Sequence, residues 1–408
     1  MRNQRQDRAK LGVIIFALLL AGGLTWAIYQ YAAKPDTTDN FAPLWAAARQ
    51  VITDRTNPYD LNALRYYFPE GTDPDSRFVY PFYGMLIFLP FGLISSYPLA
   101  KAIWMILLVV ALLAVIFGTL SLTRWNPSAK LLGAVVLFSL IGYPTVRGLY
   151  SGNPALLIAM LITLGLRMVI LGRDRAAGVL FGLTILKPTM VALLLPYVLL
   201  YAVSHRNSRL IRSALVTMSL LIAAAFLAYP QWFVQNFAAV VLLFNDSFPS
   251  SISAVLSSWL PGNQLMVVIA ALVGLWTVMA WWQSLGKDTR WFLWTASLTL
   301  VLTELIGIPT TTANYVSFLI PLILSFSILE QRWEIGGGIL VMLLIIFMLF
   351  ATWAPFLLIT GADPALPEPR IMLFLLPMIV IGLLYWVRYW ALTSIRMQVE
   401  RYGTLSNI

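Results

Sequence analysis

Cysteine is absent from the 408-residue chain, and histidine occurs once, at His205. Without thiols there are no disulfides, thiolate metal sites or cysteine nucleophiles. A lone histidine in a basic loop gives little basis for a histidine-ligated metal or a Ser-His-Asp triad. Charge is scarce as well. Only 11% of the residues are Asp, Glu, Lys or Arg, against roughly 25% in an ordinary soluble domain. So few polar side chains cannot cover the surface of a soluble core.

Apolar residues fill the chain instead, at 60%. They fall largely into runs of about 18 or more, each long enough to cross roughly 30 Å of hydrocarbon. The pattern predicts an all-α polytopic membrane protein, a single integral membrane domain over 1–408. Spans are expected near 11–31, 98–121, 131–149, 153–171, 210–229, 263–285, 290–308, 313–329, 335–358 and 370–391. The opening MRNQRQDRAK and its apolar run resemble a signal peptide, but Leu11 to Tyr31 is too long for one and no small-residue cleavage site follows cleanly. It reads as a retained first span.

Two apolar stretches do not fit simple crossings. Residues 81–95 begin YPF and are cut by Pro90 and Gly92, and residues 176–203 are broken at Lys187-Pro188. Irregular backbone at membrane depth is tolerated only where protein or a water-filled cavity surrounds it. Counting these broken or re-entrant helices with the ten full spans gives roughly twelve transmembrane helices.

The net charge of +10 comes from short clusters between apolar runs: Arg124 to Lys130, Arg173 to Arg175, His205 to Arg212 and Lys287 to Arg290. That is the pattern of cytoplasmic loops, not the continuous basic face that nucleic acid requires. If 81–95 returns to the outer side and 176–203 to the inner, every cluster and both termini are cytoplasmic, as expected for a multi-pass plasma (inner) membrane protein. Loops 32–80, 149–153, 230–262, 308–313 and 359–369 then lie outside. If either segment crosses once, the assignment inverts downstream of it. No internal repeat is visible, so repeat-based transporter folds gain no support.

Loop 32–80 is the largest extracytoplasmic element. Its FAPLWAAARQVI carries apolar residues at helical spacing with Arg49 and Gln50 opposite, as in a helix lying in the interface. NPYD marks a turn, LNALRYYF a second short helix and GTDPDS another turn.

Acids are few, which makes their positions informative. Asp36 and Asp39 follow the first span; a carboxylate there suits general-base work on a hydroxyl, or simply ends the helix and solvates the loop. Glu304 and Lys187 are costly charges within apolar segments. Each is either functional or a structural partner; Lys187 meets a lipid phosphate or an acid such as Glu304, or snorkels if its segment lies shallow. Arg49, Arg55, Arg65, Arg77, Arg147 and Arg370 fall on the outer side, as interface anchors or as forks for an anionic head group. The 15 Trp and 17 Tyr read mainly as an interfacial belt.

An ordered set of segments carries a resemblance. DNFAPLWAAARQVITDRTNPYD, FVYPFYGMLIFLPFG and Trp104 are followed by LYSGNPALLIAMLITLGL and GRDRAAGVLFGLTILKPTMVALLLPYVLL. FNDS and PTTTANYVSFLIPL come later. Together they are similar to glycosyltransferase family 87, membrane enzymes of the GT-C fold, many using polyprenyl-phosphate mannose. The resemblance implies a GT-C-like fold and inverting transfer, without cofactor or metal, from a polyprenyl-phosphate-sugar donor. The acceptor would be a glycolipid or glycan hydroxyl on the extracytoplasmic face of the bilayer. It implies Asp39 as base, with substrate contacts from Asp36, Asn40, Arg49, Tyr59, Tyr80, Arg147, Asn153, Lys187, Asn245, Glu304, Asn314 and Tyr315. Two departures stand out: Asn40 separates Asp39 from Phe41, and Asn314 occupies a place where many members carry His. The rival readings are a lipid-linked sugar flippase or other transporter, and a non-catalytic scaffold.

Overall fold

A computed structural model describes residues 23, 25–34, 39–246, 263–308, 310–361 and 368–393. Asp36, the first part of the expected 11–31 span and the C-terminal tail lie outside these residues. Every regular element among them is helical. The chain divides into two compact units: residues 1–78 with 85–110, and residues 79–84 with 111–408.

In the first unit, residues 25–32 are helical, and Ile28 and Ala32 pack against Ala102 and Met105. Helix α1 (Ala42–Thr53) opens with proline in its first turn, where the missing N–H costs nothing. Asp39 accepts from the N–H groups of Phe41 and Ala42 at 2.8 and 3.2 Å. A short α2 (Leu61–Arg65) follows, capped by Asp60, whose side chain accepts from Asn62 N. Before it, the NPYD segment forms the expected turn: Asn57 Oδ1 accepts from Tyr59 N and Asn57 O from Asp60 N.

Helix α1 differs from the interfacial helix that its residue pattern suggests. Eight of its twelve residues are buried, Gln50 among them. The polar side is used internally: Gln50 Nε2 donates to Asn57 O and Thr56 Oγ1, and Arg49 donates to Gly92 O while lying over the Trp45 ring. Small residues Ala46, Ala47 and Ala48 let neighbouring backbone approach, so the helix is enclosed by protein.

The apolar stretch 81–95 is neither one helix nor one span. It forms α3 (Phe82–Met85) and α4 (Leu89–Gly92), each a single turn. Helix α5 (Tyr97–Thr123) is 27 residues long and mostly apolar, with Lys101 as its one charged residue. Phe41 anchors the first unit's core, its ring stacked on Trp104 at 5.5 Å and edge-on to Phe91 at 5.8 Å.

The second unit takes in most of α3, the second half of α5 and the remaining helices. The expected 131–149 span is α6 (Ala129–Ile141) and α7 (Tyr143–Tyr150), bent by 46°. Gly142 takes φ −57, ψ 136 at the joint, which leaves the helical region, and Pro144 starts the next helix. Then come α8 (Ala155–Ile170), α9 (Asp174–Leu183), α10 (Leu194–Ser204), α11 (Ser208–Ala228) and α12 (Trp232–Asp246). Between α9 and α10 lie two 3₁₀ turns, Thr184–Leu186 and Pro188–Val191, separated by Lys187 at φ −134, ψ 81. The expected break at Lys187-Pro188 is present.

Helices α9 and α11 pack at backbone contact. A Cβ on Gly178 would fall 2.0 Å from Ser213 Oγ and 2.3 Å from Leu210 O, so only glycine fits. Close approach through small residues is the usual means of holding helices together in lipid.

Helix α13 (Asn263–Ser284) precedes α14 (Thr289–Thr303), whose residues Phe292 to Thr303 are all buried. A helix apolar nearly all round is a core helix when protein surrounds it. A 3₁₀ segment, Thr312–Phe318, leads into α15 (Leu319–Thr360) and then α16 (Arg370–Leu392). At 42 residues α15 would be about 63 Å long if straight. It folds back instead. A Cβ on Gly337 would lie 2.6 Å from Leu329 O and 2.7 Å from Glu330 Cα, whereas residues seven apart in a straight helix are about 10 Å apart. The two expected spans, 313–329 and 335–358, are thus the arms of one folded-back helix.

Among the described residues, five helices are long and apolar enough to cross a membrane: Tyr97–Thr123, Ser208–Ala228, Thr312–Trp333, Gly336–Thr360 and Arg370–Leu392. The bent α6–α7 pair makes six. Shorter apolar helices cover 155–170, 194–204, 232–242 and 268–284. Large side chains such as Leu220, Leu227, Phe350 and Leu358 are exposed. Apolar surface this extensive is incompatible with water and fits a bilayer.

Candidate functional site

The first candidate group lies in the first unit, around Asp39. Its carboxylate is buried and fully engaged. Oδ1 accepts the two N–H groups that open α1, while Oδ2 receives the Tyr97 hydroxyl and lies 2.6 Å from Lys101 Nζ. Lys101 also sits 5.2 Å from the Tyr31 ring centroid. Two oxygens offer about four lone-pair directions, so to take a proton from a hydroxyl Asp39 must exchange one of these contacts. Asn40 is exposed, Arg49 is tied to α4, and the Tyr59 ring packs on Phe78 at 5.3 Å.

The second group lies in the second unit, where several expected site residues meet. Lys187 stands at the break between α9 and α10, and its side chain is buried. Its ammonium donates to Asn153 Oδ1 at 2.7 Å and Asn314 Oδ1 at 2.6 Å. Asn153 comes from the tight turn joining α7 and α8, in which Asn153 N returns to Gly148 O. The same Oδ1 accepts from Ala155 N at the start of α8. Asn314 belongs to the 3₁₀ segment; its amide donates to Thr310 Oγ1, and Thr310 in turn donates to Glu304. Lys187 and Glu304 are thus joined by a relay through Asn314 and Thr310. Such buried charges persist only when hydrogen-bonded and balanced by an opposite charge.

Two residues before Asn314, the same 3₁₀ segment holds a second ion pair. Arg147 Nε lies 2.9 Å from Glu368 Oε1, and Thr312 donates to Glu368 from both its hydroxyl and its N–H, at 2.6 and 3.2 Å. Segment 312–318 therefore reaches both cations, Lys187 directly through Asn314 and Arg147 through the Glu368 carboxylate. Chemically this is a polar cluster inside an apolar body, with ammonium and guanidinium groups suited to phosphate oxygens.

Arg147, Asn153, Lys187, Glu304 and Asn314 are brought together. Tyr315 is turned to the core: its hydroxyl donates to Leu373 O and its ring stacks on Phe318 at 4.7 Å. It braces α16 against the 3₁₀ segment. Tyr80 is half-buried just before α3, and the Asn245 side chain lies outside the described residues. Among the other arginines expected on the outer side, Arg65 pairs with Asp75 at 2.8 Å.

Residue patterns alone do not single out Tyr97, Lys101, Thr310, Thr312 or Glu368. The one available signal for Lys101 is its being the lone charge in the 98–121 run. For Glu368 it is an acid set between two prolines in the expected outer loop 359–369.

A family model for glycosyltransferase family 87 matches residues 78–309. That range takes in the α3 to α14 region with Arg147, Asn153, Lys187 and Glu304. No curated protein and no solved structure matches the chain.

Proposed function

Because the chain belongs to glycosyltransferase family 87, we propose that it transfers a sugar, mannose in the first instance, from a polyprenyl-phosphate donor. The acceptor is a glycolipid or glycan hydroxyl on the outer face of the plasma (inner) membrane, both chain termini being cytoplasmic. The protein is a membrane-embedded glycosyltransferase, and in this reading its fold is GT-C-like and its transfer inverting. The observation that supports it most is Lys187, buried at a helix break and joined through segment 312–318 to Arg147.

In the reaction, the acceptor O–H loses its proton to a base and its oxygen bonds to the anomeric carbon from the face opposite the phosphate. The bond between that carbon and the phosphate oxygen breaks, its electron pair staying on the oxygen. Polyprenyl phosphate leaves with one more negative charge. Cations that hold the phosphate stabilise this developing charge more than the starting state, which is the condition for rate enhancement. Lys187 and Arg147 take this role. For the base we propose Asp39, from its sequence segment and its own surroundings. Two backbone N–H groups and Lys101 set its orientation, and Tyr97 is the contact most readily exchanged for an acceptor hydroxyl.

The test is transfer of radiolabelled sugar from a polyprenyl-phosphate mannose in proteoliposomes, with a nucleotide sugar as the alternative donor. Transfer from the lipid-linked donor alone, lost in Asp39→Asn, supports the reading. Movement of the intact lipid-linked sugar across the bilayer without transfer would replace it with a flippase.

A further inference from the structure

The Arg147–Glu368 contact is a built anion site that already holds an anion. Three donors converge on the Glu368 carboxylate: Arg147 Nε and Thr312 Oγ1 on Oε1, and Thr312 N on Oε2. A guanidinium, a hydroxyl and a backbone N–H around one anion form a donor set that binds phosphate oxygens as well as carboxylate oxygens. Both side chains are largely enclosed, at 17% and 13% exposure, so the guanidinium needs a counter-charge whenever no ligand is present. Glu368 supplies it from irregular chain, with only Pro369 between it and the start of α16 at Arg370. A carboxylate carried on such a segment can leave the cradle without unwinding a helix.

We propose that Arg147 and Thr312 form a cradle for a phosphate monoester or diester carried by a prenyl chain. Glu368 is the resident anion that this phosphate replaces. The inference rests on the reading of a phosphate-linked donor above and adds to it an exchange step. Glu368 keeps the cradle neutral in the resting protein and yields to the lipid phosphate on binding. Thr312 and Asn314 lie on one 3₁₀ segment, so the cradle and the Lys187 contact share one short stretch of backbone.

The experiment measures binding of farnesyl phosphate, inorganic phosphate and farnesol to the full-length protein in detergent. Wild type, Glu368→Gln, Glu368→Ala and Arg147→Gln are compared. Removing the resident charge is expected to tighten farnesyl phosphate binding about tenfold, since one competing carboxylate is lost. Inorganic phosphate tightens alongside it if the cradle reads phosphate alone, and farnesol does not change. Arg147→Gln weakens binding of both phosphates. If Glu368→Ala fails to fold, Glu368→Gln, which keeps the side-chain volume, carries the comparison. Unchanged phosphate affinity in the Glu368 variants, or equal tightening of farnesol, overturns the proposal. Sugar transfer by wild type together with unchanged affinity sinks the exchange step alone. Tighter phosphate binding in a protein that transfers nothing from a prenyl-phosphate sugar leaves the cradle standing and removes the donor reading.

Discussion

Lys101 Nζ lies 2.6 Å from Asp39 Oδ2, with both side chains sealed from solvent. The pair joins the segment that opens α1 to the first turns of α5, and the Tyr97 hydroxyl completes it from the same end of α5. Breaking one partner leaves an uncompensated buried charge, which typically costs about 3–5 kcal/mol. Lys101→Met is therefore expected to destabilise the first unit by that order, and Lys101→Met with Asp39→Asn to recover much of it. A double-mutant cycle on unfolding in mixed micelles measures the coupling. Additive losses contradict the pairing.

Asp39 carries two roles that are separable by measurement. As the proposed base, its replacement by Asn is expected to lower transfer by about 10²–10⁴-fold, after correction for the fraction of folded protein. As a cap and ion-pair partner it affects only that fraction. An Asp39→Asn protein that is folded and fully active removes the assignment.

At Asn153 one oxygen serves both Lys187 and the start of α8. Asn153→Ala is expected to cost roughly 1–2 kcal/mol in stability from the lost cap and hydrogen bond. Asn153→Asp keeps the cap and adds a charge beside Lys187, so it is expected to retain stability while weakening binding of a prenyl phosphate. Equal phosphate affinity in Asn153→Asp and wild type contradicts the role given to Lys187.

The backbone contact between α9 and α11 leaves no room at Gly178. Gly178→Ala is expected to destabilise by about 1–3 kcal/mol through overpacking. Gly274→Ala and Gly382→Ala, where a Cβ meets nothing within 4 Å, are expected to stay within about 0.5 kcal/mol of wild type. Steric-trap or denaturant unfolding of the three variants gives the comparison.

Much of this arrangement is legible in the residues. Apolar runs announce the helical membrane class, Lys187-Pro188 announces the break, and the scarcity of charge directs attention to Asp39, Lys187 and Glu304. Local signals do not carry the rest. The FAPLWAAARQVI helix has an amphipathic pattern, yet Gln50 and Arg49 find partners in Thr56, Asn57 and Gly92. Periodicity cannot distinguish such partners from water or lipid head groups. The pairings of Lys101 with Asp39 and Arg147 with Glu368 span 62 and 221 positions in the chain. A helix-end lysine in sequence looks the same whether it snorkels or meets an acid. Residues 313–329 and 335–358 are visible as apolar segments, but the fold-back at Gly337 depends on a close contact that composition does not encode.

In the proposed reaction a phosphate-linked sugar is held by Lys187 and Arg147, the cations clustered at segment 312–318. The most direct measurement is the initial rate of sugar transfer from a polyprenyl-phosphate-sugar donor in proteoliposomes, for wild type and Lys187→Met at matched folded protein. Removing a charge that stabilises the leaving phosphate is expected to slow transfer by at least about 100-fold. Wild-type rates in Lys187→Met, or transfer by wild type only from a nucleotide sugar, would contradict the account.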